Sequence, residues 1–185
     1  MKGIAVKDIM IDLSDYATVS ENESIITAIK VLKTAQQDTK FKYKHRAVLV
    51  YGSDGQISGK LSMFDILKAL EPKYKHFEHS DPAHGHICLS RFGLSQQFLN
   101  SLVDSYDLWN DTLDKLIKRI GHLTVAEVMY SPTKGEYIDL EVPISEAIHK
   151  FILGGHQSLL ILKNNNVVGV LRLGDVFNLI YEEVK

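Results

Sequence analysis

A single cysteine, Cys88, stands in 185 residues, so no disulfide can form within the chain. A surplus of either charge is also missing: 21 Lys and Arg face 23 Asp and Glu, a net charge of -2. Without a positive field, nucleic acid and anionic membrane surfaces are poor main partners. Nowhere do about 18 apolar residues follow one another, the length a membrane-spanning helix needs. The opening stretch MKGIAVKDIMIDLSD has no apolar run of the kind a signal peptide carries. A soluble, cytoplasmic protein is therefore expected. The motifs of several large enzyme classes are absent too: no P-loop or Rossmann glycine loop, no Gly-x-Ser-x-Gly and no His-Glu-x-x-His. No enzyme is expected. What is present, 45% hydrophobic and 24% charged residues, is ordinary for a globular protein.

The chain repeats itself. Val6-Lys7-Asp8-Ile9-Met10 falls on Val125-Ala126-Glu127-Val128-Met129, Val19 on Ile138, Ile25 on Ile144 and Ala28-Ile29 on Ala147-Ile148, all 119 positions apart. Beyond the helix the separation drops to 111, matching His45-Arg46 with His156-Gln157 and Ala47-Val48-Leu49-Val50 with Ser158-Leu159-Leu160-Ile161. It ends at 110, where Gly59 meets Gly169, Asp65 meets Asp175 and Leu67 meets Phe177. Two length changes account for the whole alignment.

Each copy reads as an extended segment followed by a helix, with apolar Ile25, Ile29 and Leu32, or Ile144, Ile148 and Phe151, at helical spacing. Two strands follow. Residues 47–51 and 57–61 flank the turn Gly52-Ser53-Asp54-Gly55, and 159–162 and 167–171 flank Lys163-Asn164-Asn165-Asn166. A second helix closes each copy, from Asp65 to a stop at Pro72 and from Asp175 onward. The order is β-α-β-β-α, twice. A copy of this size buries little surface alone, so the two are expected to pack as one pseudo-twofold unit of the α/β (α+β) class.

The doubled order, with Val-x-Asp-Ile-Met at its start and Gly-x-Leu-Ser-x-x-Asp at its end, resembles the CBS domain, a module usually found in tandem pairs called Bateman modules. The resemblance covers residues 1–71 as the first repeat and 122–185 as the second, with 72–121 as an insert. It implies clefts between the repeats that take adenosine derivatives, with AMP, ADP, ATP or S-adenosylmethionine as ligand and no cofactor required. It further implies a homodimer acting on a separate regulated protein.

Residue chemistry fits such a cleft. In Gly59-Lys60-Leu61-Ser62-Met63-Phe64-Asp65 the hydroxyl and carboxylate sit one helical turn apart where a strand ends and a helix begins. Asp65 there can accept from both ribose hydroxyls, and Ser62 with the helix N-terminus can hold a phosphate; the family gives the two positions those roles. Arg46, after His45, offers a planar charged fork to phosphate, and Lys40, Lys42 and Lys44 lie just upstream. Thr18, Val19, Ala47 and Val48 match family positions that wall the adenine. A plainer reading stands beside this one, in which Ser62 and Asp65 are only an N-cap pair and the basic stretch is a solvated loop. The second copy departs from the motif, with Arg172 where the first has Ser62, while Asp175 is kept. Arg172 can grip a phosphate or fill the cleft and block it.

The insert opens with His76, His79, His84 and His86 among Pro, Gly and Asp residues. With Asp81 they supply metal donors, but the spacing matches no metal motif and a solvated loop is expected. From Ser95, apolar Phe98, Leu102, Tyr106, Trp109, Leu113, Leu116 or Ile117, and Ile120 recur every three or four residues before Gly121. This predicts one amphipathic helix of about seven turns. Its stripe either packs on its own module or pairs with a second subunit. A nucleotide sensor and a dimerisation module with vestigial clefts are thus the two functions that the sequence supports.

Overall fold

Ser24 decides where the first helix begins. Its hydroxyl accepts the Thr27 N–H at 3.1 Å, which caps α1, Ile25–Gln37. Ile25, Ala28, Leu32 and Ala35 then fall on one buried face, as the apolar spacing requires. In this computed structural model the described residues are 3–38, 45–74, 100–101, 103–105 and 110–185. Around α1 the first copy places strands β2 (Thr18–Ser20), β3 (Ala47–Tyr51) and β4 (Ile57–Ser62), then helix α2 (Met63–Leu70). The second copy supplies β5 (Tyr137–Asp139), α5 (Ile144–Gly154), β6 (Ser158–Lys163), β7 (Asn166–Arg172) and α6 (Leu173–Glu183). Between them lie α3 (Leu113–Ile120) and the single turn α4 (Val125–Val128). A short strand β1, Ile11–Asp12, precedes these elements, itself preceded by a 3-10 turn at Val6–Asp8.

Both sheets have one plan. In the first, β2 runs parallel to β3, which is antiparallel to β4. In the second, β5 runs parallel to β6, which is antiparallel to β7. The β6–β7 hairpin turns on Asn164 and Asn165, both at positive φ (51° and 63°), the conformation a two-residue primed turn demands. The β-α-β-β-α order expected from the sequence is present in both copies.

What the sequence did not announce is that the copies exchange their leading segments. Val6 sits at zero exposure in the core of the second copy, beside Ile138, Leu159 and Phe151, while Val125 sits at zero exposure in the core of the first, beside Ile25 and Val48. The backbone bonds repeat the exchange. Val6 N donates to Val142 O and Val125 N to Glu23 O, and Lys7 N donates to Leu140 O and Ala126 N to Glu21 O. Strand β1 completes the second sheet by pairing Ile11 with Val170, and Tyr130 pairs with Lys60 at the equivalent edge of the first.

The two glycines of the repeated motif make room for these leaders. A Cβ on Gly59 would stand 2.6 Å from the Met129 sulfur, and one on Gly169 would stand 2.5 Å from the Ile11 carbonyl oxygen. The Met129 sulfur can swing aside, leaving the Tyr130 carbonyl at 3.0 Å from the Gly59 Cβ, whereas the Ile11 carbonyl at 2.5 Å is fixed in a sheet. Gly169→Ala is therefore expected to lower stability by about 1–3 kcal/mol, and Gly59→Ala by clearly less. Denaturant midpoints of the two variants give the comparison, and equal losses would contradict it.

A third core joins the copies. Leu49, Ile57 and Tyr16 from the first meet Leu160 and Val170 from the second, with Tyr51 and Tyr137 packed around them. The two sheets thus face one another across an apolar layer.

The insert corrects one expectation. Residues 100–101 and 103–105 are helical, but 110–112 are not, and α3 starts afresh after Thr112 in extended conformation. The single seven-turn helix is broken at Asn110-Asp111-Thr112. Short polar side chains there compete for backbone groups and favour helix ends, and Asp111 turns back to an ion pair with Arg119. Ile120 closes the first core at 1% exposure, while Leu113 and Ile117 stay exposed. Ser95, Phe98, Leu102, Tyr106 and Trp109, the four histidines, Asp81 and Cys88 lie outside the described residues. Among the described residues no group of His, Cys, Asp and Glu could hold a metal, and no helix is long and apolar enough to cross a membrane.

Candidate functional site

Strand alternation decides which side chains look into the space between the sheets. Thr18 pairs with Leu49, and Ala47 with Ser62. Leu49 belongs to the inter-copy core, so Thr18, Ala47 and Ser62 share its face. Val19, Val48 and Val50 point the other way, into the first copy's own core. Val19 and Val48 can therefore border the cleft with backbone only. Arg46 lies at the same edge: its carbonyl accepts the Met63 N–H at 3.1 Å, and its side chain is exposed beside the start of α2. His45 is buried at 1% exposure against Tyr16, ring centroids 4.5 Å apart and nearly perpendicular. Burial, and then the Arg172 charge, hold its pKa below the ordinary histidine value. Gln36 fixes the approach by donating to the His45 carbonyl at 3.1 Å. Lys40, Lys42 and Lys44 lie outside the described residues.

Ser62 and Asp65 form a closed capping box. The Asp65 N–H donates to Ser62 Oγ at 3.2 Å, and Asp65 Oδ2 accepts from the Ser62 N–H at 2.8 Å and from its hydroxyl at 2.5 Å. Both bonds from Ser62 fall on one carboxylate oxygen. The N-cap reading of these residues is thus present in the structure, and it leaves the carboxylate at the mouth of the helix on the inter-copy face.

Beside it lies a group of residues not singled out from the sequence. Lys60, two positions before Ser62, forms an ion pair with Glu136. Glu136 is only 2% exposed and also accepts from the Tyr130 hydroxyl at 2.5 Å and the Thr133 N–H at 3.1 Å. Burial alone would raise the Glu136 pKa; the bonds from Lys60, Tyr130 and Thr133 outweigh it and hold the group below its usual value. Burial, with the bond to Glu136, pushes the Tyr130 hydroxyl up to about 12, and Asp65 is near enough to add to that rise. A charge pair therefore ties the first copy's β4 to the leader of the second. The signal was a lysine at the strand position where the second copy has apolar Val170, and an acid, Glu136, in register with Ala17.

The second copy closes the corresponding place differently. Arg172 N donates to Asp175 Oδ2 at 3.1 Å, its Nε to the same oxygen at 2.9 Å, and a terminal nitrogen to Oδ1 at 2.6 Å. Both carboxylate oxygens are taken by one guanidinium. The two side chains are 15% and 7% exposed. Tyr16 approaches from the first copy, its hydroxyl pushed up to about 12 chiefly by burial and near enough to feel Arg172 and Asp175.

A shallow pocket of about 360 Å³ opens elsewhere, between Ile57 and Tyr137 near the hairpin turns. Ile57 and Ser62 are opposite ends of β4, roughly 17 Å apart at strand rise. Its open, uncharged wall offers no chemistry comparable to that at Ser62.

A family model of the CBS domain matches residues 6–72 and 125–182, the two copies in turn. The chain belongs to the CBS-domain family. Its paired CBS architecture is that of solved structures with low sequence identity. These include CBSX2 in complex with AMP (TM-score 0.62, 15% identity, 99% of this chain and 100% of that one). A CBS-domain protein from Bacillus anthracis aligns with TM-score 0.61 at 18% identity, over 97% of this chain and 94% of that one. The CBS domain of a bacterial CNNM/CorC family Mg2+ transporter in complex with ATP gives 0.58 at 11%, over 96% and 87%. No curated protein matches the sequence. Within the CBS frame, the Gly and Met of the repeated motif are the contacts that seat each leader on the opposite repeat.

Proposed function

We propose that this CBS pair is a regulatory module without catalytic activity that binds an adenine nucleotide in the cleft of the first repeat. The observation that carries the reading is the placement of Ser62 and Asp65 at a strand-to-helix junction facing the second repeat, with Thr18, Ala47 and Arg46 on the same edge. Asp65 would take the ribose hydroxyls, Arg46 and the N-terminus of α2 the phosphates, and Thr18 and Ala47 the base. The bound AMP and ATP of the two solved CBS structures agree with this class of ligand; ADP and S-adenosylmethionine belong to it chemically. No cofactor is needed, and the response is read by a separate protein in the cytoplasm.

Titration calorimetry with AMP, ADP, ATP and S-adenosylmethionine tests the reading. At least one is expected to bind, and Asp65→Ala to weaken it by tenfold or more. Silence with all four would remove the proposal.

A homodimer is part of the same reading. Met63 and Leu67 on α2 and their counterparts Leu173 and Phe177 on α6 are 42–67% exposed, the same positions in both repeats. Repeated apolar exposure fits coverage by a second copy. This face, rather than the broken insert helix, also supports the second function, a dimerisation module whose Ser62 and Asp65 serve only as a helix cap.

A further inference from the structure

The two repeats share a backbone plan but not a ligand position. Along the repeat, Ser62 corresponds to Arg172 and Asp65 to Asp175. Ser62 occupies one oxygen of its aspartate, whereas Arg172 grips both. We propose that Arg172 is a built-in plug for the second cleft, so that the protein holds a single nucleotide and Arg172 sets that stoichiometry. This rests on the nucleotide reading above and specifies which cleft stays shut.

Three observations support it. An aspartate can accept two ribose hydroxyls only while its oxygens are free for them, and a planar guanidinium satisfies both oxygens at once in a bidentate fork. Arg172 stands opposite Ser158 in the sheet, on the face turned toward the first repeat, so its side chain lies on the side from which a nucleoside would enter. The pair also lies near buried groups of the first repeat. Tyr16, 8% exposed, and His45, 1% exposed, pack against one another from the first repeat, close enough that the Arg172 charge acts on both. Among the described residues no comparable fork covers Asp65. There the basic residue of the motif, Arg46, is exposed, and the charge at Lys60 is committed to Glu136.

The first repeat shows that the position works with serine. In Ser62 the same backbone supports a capping box with the aspartate three residues on, so Arg172→Ser restores to the second repeat a cap that the fold already uses. The reciprocal change, Ser62→Arg, builds the fork into the first repeat.

The experiment is calorimetric titration of the full chain with ATP and with AMP, in four forms. Wild type is expected to bind one equivalent, Arg172→Ser two, and Ser62→Arg none. The double exchange is expected to bind one equivalent, lost on Asp175→Ala rather than on Asp65→Ala. Two equivalents on wild type would overturn the plug. So would a folded Arg172→Ser that still binds one, or a Ser62→Arg that binds as wild type does; the last needs no change in the second repeat at all. Absence of binding by wild type with a site gained in Arg172→Ser would strike the first-cleft reading and leave the plug standing. Absence in both would overturn the two together.

Discussion

Replacing Lys60 with methionine is expected to lower stability by about 3–5 kcal/mol, the cost of leaving a buried charge without its partner. The orphan would be Glu136, 2% exposed, with the Tyr130 hydroxyl and the Thr133 N–H left to hold it. The pH dependence should change sign with it. In the wild type the Glu136 pKa lies below its unfolded value, so its contribution is present above about pH 4.5 and is lost as pH falls through the folded value. In Lys60→Met burial, the largest influence on Glu136, is expected to prevail over the remaining Tyr130 and Thr133 bonds and lift the folded pKa above the unfolded one. The folded state then binds the extra proton, and the variant gains stability as pH drops from 7 toward 5. Replacing both partners, Lys60→Met with Glu136→Leu, should recover most of the loss, because two apolar groups need no mutual compensation. Urea denaturation at pH 7 and pH 5 measures all three forms. A Lys60→Met variant as stable as wild type at pH 7, or less stable at pH 5 than at pH 7, would refute this account of the pair.

Removing residues 1–12 is expected to do as much damage, and to do it at the other end of the sequence. The segment carries Val6 into the second repeat's core, with Ile9 and Met10 packed against it, and supplies β1 to the edge of β7. Full burial of such a side chain contributes about 1.5–3 kcal/mol, so one complete and two partial burials amount to roughly 5 kcal/mol. That is a large share of the 5–15 kcal/mol typical of a domain. Hydrogen exchange locates the effect. Amides of β6 and β7, more than a hundred residues downstream, should lose protection, while those of β3 keep theirs. A shorter cut of residues 1–3 serves as the control and should be nearly silent. Uniform loss across both sheets, or none, would count against the exchange of leaders as the source of stability.

The sequence spoke clearly wherever a pattern is local. Helical spacing of Ile25, Ile29 and Leu32 and the paired strands around Gly52–Gly55 and Asn164–Asn165 describe contacts within a few residues, and they appear as read, as does the doubling of the unit. The insert misled because its apolar stripe continues through Asn110-Asp111-Thr112 without a break in period. Periodicity records which residues want burial and is blind to the low helix preference of Asn, Asp and Thr, where 110–112 leave the helical conformation. At the candidate site, Ser62 and Asp65 were legible as a strand-to-helix pair, and alternation along β2 and β3 then settles which neighbours face the cleft. The Lys60–Glu136–Tyr130 group was not legible, since its members come from opposite repeats and meet only because the leaders cross. In the same way Arg172 could be seen to differ from Ser62, but its grip on both oxygens of Asp175 is a matter of rotamer, which no alignment carries.

The crossing of the leaders also sets a timetable. When α2 has been made, the first repeat still lacks Val125 for its core and Tyr130 for the edge of β4, and both come some 60 residues later in the chain. At a synthesis rate of about 5–20 residues per second, that is a wait of roughly 3–12 s. Through that interval the apolar socket beside Ile25 and Val48 stands open on the ribosome, and the opening leader has no second repeat on which to settle. The first repeat can close once Tyr130 has emerged, while the second still waits for β6 and β7. The second repeat closes later, when β6 and β7 become available to Val6 and strand β1, made more than a hundred residues earlier.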